Sequence, residues 1–210
     1  MCIFIKKITI IDYGSGNIRS IYNGFKKIGV KVNISSDKYE IENSDALIVP
    51  GVGSFGAGMK NLIDYKEIIN NHIQEKKPLL GICLGLHMLF SNSQESPGIE
   101  GLNIFEGSVE KLQLPPKYKI PHMGWNKITV NKTSKNNTTL LTDMNQKYMY
   151  FVHSYYINPA DKDIITAYTE YGAKIPIAIG KDNIHALQFH PEKSGEAGLN
   201  ILRKFVDEIE

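Results

Sequence analysis

The sequence is poor in cysteine and has no excess charge of one sign and no long apolar run. Two cysteines in 210 residues, Cys2 and Cys83, are too few for a disulfide-stapled fold. They suit a reducing, cytoplasmic compartment, and each is read singly. The 24 basic and 22 acidic residues leave a net charge of +2 without any block of like charges, so nothing asks for nucleic acid. The apolar N-terminal run stops at Lys6 and Lys7, too short for a signal peptide or a membrane span. The six histidines show no metal-ligand spacing with cysteine or glutamate, so no metal is expected. With 42% hydrophobic and 10% aromatic residues, the chain has the composition of one globular domain spanning residues 1–210.

The first half alternates strand and helix signals. Residues 8–12 are β-branched and end in Tyr13-Gly14-Ser15-Gly16-Asn17, after which Ile18, Ile21, Tyr22 and Phe25 recur at helical spacing as far as Gly29. Strands are expected over 31–35 and 45–49, then a Gly-rich loop over 50–58 and a helix over 59–76. Pro78 opens an apolar strand over 79–82, and 84–92 again has helical spacing. This alternation predicts an α/β fold with a mostly parallel central sheet and helices on both faces. Beyond residue 105, β-rich segments at 106–113, 126–130, 148–157, 164–170 and 176–189 predict additional antiparallel strands. Leu199, Leu202, Phe205, Val206 and Ile209 predict a closing helix over 196–209. The Lys and Asn cluster of 131–137 reads as an exposed hairpin or loop.

The sharpest chemical feature is Gly81-Ile82-Cys83-Leu84-Gly85, where a strand gives way to a helix. Flanking glycines permit the strained turn of a nucleophile elbow, with sulfur in place of the serine oxygen, and a helix start favours thiolate. The plainer alternative is a buried core cysteine. His190-Pro191-Glu192 offers a base and a carboxylate; in an extended segment residues two apart share a face, which completes a Cys-His-Glu triad. Gly51-Val52-Gly53-Ser54-Phe55-Gly56 matches a dinucleotide fingerprint but sits outside the first βα unit; its N–H groups can instead line an oxyanion hole with the Leu84 amide. His72 and His185 read as surface or structural residues. Pro121-His122-Met123-Gly124-Trp125-Asn126, with Tyr148, Tyr150, His153, Tyr155 and Tyr156, reads as a packed turn or as an aromatic partner surface.

These segments together resemble the class I (triad) glutamine amidotransferases and, more narrowly, the glutaminase subunits of imidazole glycerol phosphate synthases. Tyr150-Phe151-Val152-His153-Ser154-Tyr155 and Phe189-His190-Pro191-Glu192-Lys193-Ser194 carry much of that narrower likeness. The resemblance implies a single flavodoxin-like domain and no cofactor. It implies that Cys83 attacks L-glutamine, that His190 moves protons and that Glu192 orients it. Gly51, Val52 and Gly53 would complete the oxyanion hole with Leu84, while His87, Glu95 and Ser154 would contact glutamine. Asn17, Trp125, Asn126, Tyr150 and Lys193 would lie near a heterodimer interface with a (β/α)8-barrel cyclase that receives the ammonia. His87 departs from the pattern, since the family commonly has Gln there; an imidazole can still donate a hydrogen bond to substrate. An alternative client is an N-sugar amidotransferase of surface-polysaccharide synthesis.

Overall fold

The structure, a computed structural model, describes residues 6–134 and 139–209; Cys2 and part of the 131–137 cluster lie outside them. Twelve strands are described: β1 (Ile8–Ile11), β2 (Val32–Ser35), β3 (Ala46–Val49), β4 (Leu79–Ile82), β5 (Phe90–Ser93), β6 (Phe105–Lys111), β7 (His122–Val130), β8 (Tyr148–His153), β9 (Tyr155–Pro159), β10 (Ile165–Glu170), β11 (Lys174–Lys181) and β12 (Ile184–Leu187). The helices are α1 (Ile18–Lys27), α2 (Lys38–Glu42), α3 (Phe55–Leu62), α4 (Lys66–Gln74), α5 (Leu84–Met88) and α6 (Gly195–Asp207). Nine strands form one sheet in the order β2-β1-β3-β4-β12-β11-β10-β7-β8; β5, β6 and β9 form a second, smaller one. Pairing is parallel from β2 through β12 and antiparallel from there to β8.

Fully buried strands such as β1, β3 and β4 are continuous apolar runs because helices cover both faces. On one face α1 and α6 bury Ile18, Ile21, Phe25, Ile201, Leu202 and Phe205. On the other, α2 to α5 bury Ile41, Phe55, Met59, Leu62, Ile69, Leu84 and Leu86. Among the described residues no helix is long and apolar enough to cross a membrane.

Four expected elements differ. The helix expected over 59–76 starts at Phe55 and is split into α3 and α4 by a 3-10 turn at Ile63–Tyr65. Its start is fixed from a distance: Glu95 Oε2 accepts the Phe55 N–H at 2.7 Å and Ser96 Oγ the Gly56 N–H at 2.9 Å. The helix expected over 84–92 stops at Met88, because Phe90 is drawn into parallel pairing with Phe105 and the Met88 carbonyl accepts the Leu102 N–H at 2.8 Å. The single segment 176–189 is two antiparallel strands, turned at Asp182 (φ 52°). Likewise 148–157 is divided between the two sheets, β8 entering the larger and β9 the smaller.

The junction of β4 with α5 decides where the site lies. Cys83 has φ 55° and ψ −108°, a conformation that costs a non-glycine residue about 1–3 kcal/mol. The Cys83 N–H donates to the Leu187 carbonyl at 2.7 Å, and the Cys83 carbonyl accepts from the His87 N–H at 3.3 Å. Gly85 lets α5 lie directly on the end of β3: a Cβ there would stand 2.0 Å from the Val49 carbonyl oxygen. Backbone cannot yield as a side-chain tip can, so Gly85→Ala is expected to cost about 1–3 kcal/mol or more, read as a lower urea midpoint. An unchanged midpoint would contradict this packing.

Candidate active site

Cys83 directly follows β4 and His190 follows β12, two neighbouring parallel strands in register from Leu79↔Ile184 to Ile82↔Leu187. Both side chains therefore emerge at the same carboxyl edge of the sheet, where open α/β sheets hold ligands. Cys83 is buried yet lines a cavity of about 290 Å³, with Val52, Gly53, Leu84, His87, Glu95, Val152, His153 and Ser154 among its walls.

His190 Nδ1 donates to Glu192 Oε1 at 2.9 Å, with both side chains fully buried. Glu192 lies in a 3-10 turn at Pro191–Lys193, so it reaches the imidazole through that turn and not through strand alternation as expected. Burial disfavours the charged imidazole, but the neighbouring Cys83 sulfur and the Glu192 carboxylate outweigh it and raise the His190 pKa to about 9. At neutral pH the ring is an imidazolium whose Nδ1–H is spent on Glu192. Its Nε2 has no hydrogen-bond partner among the described residues. That nitrogen is free to hand a proton to a reacting group.

Asn17, expected near a partner, is half-buried at the start of α1 in a left-handed conformation (φ 72°). Its Nδ2 donates to Glu192 Oε1 at 2.9 Å and lies 3.3 Å from His190 Nδ1. With Nδ1 protonated, only the Glu192 contact is a hydrogen bond, so Asn17 supports the carboxylate of the triad.

The four residues of the expected oxyanion hole gather beside Cys83 with two of their donors turned elsewhere. Leu84 N–H donates to the Gly51 carbonyl at 3.3 Å, and Val52 N–H to Ser15 Oγ at 3.2 Å. Tyr13 Oη donates to the Pro50 carbonyl and pins the base of the loop. No side chain fits at position 51, where a Cβ would meet Leu84 Cβ at 2.7 Å and Tyr13 Oη at 2.9 Å. Glu95 and Ser154 line the cavity, although one Glu95 oxygen is held by the Phe55 N–H. His87 also lines the cavity, but its Nε2 faces Gln188 Oε1 at 2.7 Å; Gln188 was not expected to take part. A sequence signal existed, since Gln188 lies two residues before His190 in extended chain and so on its face.

The residues expected at a partner interface divide by strand register. Trp125 pairs with Tyr150 and Met123 with Val152, so these share one face of the β7–β8 hairpin. Trp125 (54% exposed), Met123 (62%) and Tyr148 (54%) form its open part. Trp125 meets Tyr150 edge-on with centroids 6.2 Å apart, and Lys193 Nζ lies 5.9 Å from the Tyr150 ring centre. Asn126 points the other way, its Nδ2 donating to the Glu170 carbonyl at 2.9 Å and lying 3.3 Å from His122 Nε2. His72 and His185, read as surface or structural, are both buried.

A nucleophile elbow facing an acid-base pair across two parallel strands is the arrangement of a cysteine-dependent amide hydrolase. The Glutamine amidotransferase class-I family profile matches residues 9–209, and the chain belongs to that family. It is 52% identical to the imidazole glycerol phosphate synthase subunit HisH of Methanothermobacter thermautotrophicus over 202 residues, covering 96% of this chain and 98% of that protein. It is 50% identical to the HisH subunit of Caldanaerobacter subterraneus subsp. tengcongensis over 205 residues, with the same coverage. A crystal structure of a glutamine amidotransferase shares the fold with a TM-score of 0.72 at 19% identity, covering 95% of this chain and 97% of that one.

The buried histidines set a pH window. Burial lowers His72, His87 and His122 to about 4 and His153 to about 3, against about 6.5 when unfolded. Their contribution is present above pH 6.5 and is lost as pH falls toward 4, because the unfolded chain takes up protons that the folded chain refuses. His190 has the opposite sign: its raised pKa stabilises below pH 6.5, and that benefit is lost as pH rises through about 9. Urea midpoints are expected to peak near neutrality and to fall more steeply on the acid side. A flat profile from pH 6.5 to 4.5 would contradict neutral buried histidines.

Proposed function

We propose that this chain is the glutaminase subunit of an imidazole glycerol phosphate synthase, hydrolysing L-glutamine and passing the ammonia to a (β/α)8-barrel cyclase in a heterodimer. The observation that carries the reading is the Cys83 elbow facing the His190–Glu192 pair in a chain about half identical, end to end, to HisH subunits. The sugar-amidotransferase client draws no support from those relatives.

The geometry supports the following sequence. Cys83 Sγ adds to the carboxamide carbon of glutamine, and the C–N bond breaks as His190 Nε2–H delivers its proton to the departing nitrogen. Ammonia leaves and a γ-glutamyl thioester remains. His190, now neutral, takes a proton from water as that water attacks the thioester; the C–S bond breaks, glutamate departs with its acid proton lost to solvent, and the freed Cys83 sulfur again stands beside a protonated His190. Glu192, supported by Asn17, holds the ring in the tautomer that keeps Nε2 toward the sulfur.

The oxyanion of each addition step needs N–H donors, and removing one such donor costs hydrolases about 10²–10³ in rate. Here the Leu84 and Val52 donors are engaged by Gly51 and Ser15. We read this as a resting arrangement in which the 50–54 loop must turn before fast turnover. The exposed apolar face of Trp125, Met123 and Tyr148 beside Tyr150 and Lys193 is the surface on which the cyclase would seat.

Glutamate release by the chain alone is expected to be slow and to rise strongly with the cyclase and its nucleotide substrate, with imidazole glycerol phosphate formed in step. Trp125→Asp is expected to weaken the complex by about 2 kcal/mol or more, in line with a central interface aromatic, and to remove most of that stimulation. Absence of stimulation by the cyclase would overturn the client, and absence of glutamate release in every condition would overturn the chemistry.

A further inference from the structure

Gln188 is fully buried at the end of β12, one position beyond the Ile82↔Leu187 pair and hence beside Cys83. Its carboxamide spans two residues of the site. Nε2 donates to Cys83 Sγ at 3.8 Å, and Oε1 stands 2.7 Å from His87 Nε2. These contacts determine where protons sit. An amide oxygen only accepts, so His87 must carry its proton on Nε2, leaving Nδ1 with a lone pair. The flipped amide would aim its oxygen at Sγ and leave the nucleophile without a donor from this side chain. The orientation seen is the one that supplies the attacking sulfur with a donor.

His87 lies four residues after Cys83, one helical turn on, and lines the cavity. Its donor is committed to Gln188, so Nδ1 is the polar atom it has left to offer a ligand. A hydrogen bond donated by His87 to the substrate, as expected from sequence, would require breaking the Gln188 contact. Burial supports the same state, since it lowers the His87 pKa to about 4 and keeps the ring neutral at working pH.

We propose that Gln188 is a positioning residue of the glutaminase reaction: its amide donates to the Cys83 sulfur and fixes His87 as the Nε2–H tautomer, so that His87 meets the substrate as a hydrogen-bond acceptor for an N–H group. This rests on the reading of Cys83 as nucleophile and adds two linked roles to it. Gln188 steadies the attacking atom, and through His87 it shapes what the cavity recognises. An acceptor at that wall favours a ligand N–H and repels a carboxylate oxygen, which separates an amide from an acid.

Two variants in the complete chain, assayed with the cyclase, test both roles. Gln188→Met keeps the volume and removes both polar ends. Gln188→Glu keeps an oxygen for His87 and replaces the donor to sulfur by a second oxygen. Three readouts apply: the rate of Cys83 alkylation by iodoacetamide, the imidazole ¹⁵N shifts of His87, and the split of kcat from KM. Alkylation is expected to fall about tenfold in both variants, as for loss of a hydrogen bond to a charged group. The ¹⁵N shifts should show the Nε2–H tautomer in the wild type and in Gln188→Glu, and a mixture in Gln188→Met, whose KM for glutamine rises as well.

Alkylation within twofold of wild type in both variants would overturn the role at sulfur. An Nδ1–H tautomer in the wild type would overturn the role at His87, and that measurement needs no variant to fold. If the wild type released no glutamate while alkylation and tautomer behaved as expected, the glutaminase reading would fall, and Gln188 would keep its roles at the Cys83 sulfur and at His87 but not a part in that reaction.

Discussion

The parallel pairing of β4 with β12 is the constraint on which the rest of the site depends. It brings residue 83 beside residue 188 and within reach of residue 190, although more than a hundred positions separate them in the chain. Because the strands run the same way, both deliver their chemistry at one edge, where β4 turns into α5 and β12 into the 3-10 turn that carries Glu192. The strained Cys83 backbone is tied into this pairing by its own N–H on Leu187. Strain of about 1–3 kcal/mol persists there because strand pairing and the close seat of Gly85 on Val49 over-determine the turn.

Around that edge the charges are sorted by partner. His190 has a carboxylate and a sulfur beside it and is held protonated, while His87, His122 and His153 are desolvated and held neutral. One imidazolium among neutral rings makes the proton available at a single nitrogen, His190 Nε2. The donors for the developing oxyanion are present but engaged elsewhere, so electrostatic stabilisation is the part of the apparatus left to a rearrangement. The turn between β1 and α1 touches both halves: Asn17 on the triad, Tyr13 and Ser15 on the 50–54 loop.

Much of this was legible in the sequence where the signal is local. Gly81-Ile82-Cys83-Leu84-Gly85 announces the elbow because only glycine fits against the crossing backbone. His190 and Glu192 are close in the chain, so their partnership was readable even though the geometry expected for it was not the one found. Elements whose ends are set by distant residues were misplaced: α3 starts early because Glu95 and Ser96 cap it, and α5 ends early because residues 101–105 capture Phe90. Asn17 was expected at the partner interface because nothing in residues 13–17 signals Glu192. Gln188 was passed over because an amide between apolar neighbours has no meaning until Cys83 and His87 stand on either side of it. Asn126 separates from Trp125 by the simple alternation of β7, a rule that sequence could have applied.

The account stands most directly on Cys83 acting as the nucleophile with His190 as its acid-base partner. The measurement is peptide mapping by mass spectrometry after reaction with a diazoketone analogue of glutamine, on the wild-type chain and on His190→Asn. The account predicts a covalent adduct on the Cys83 peptide alone, with labelling strongly suppressed in His190→Asn. An adduct on Cys2, or equal labelling of Cys83 with and without His190, would contradict it.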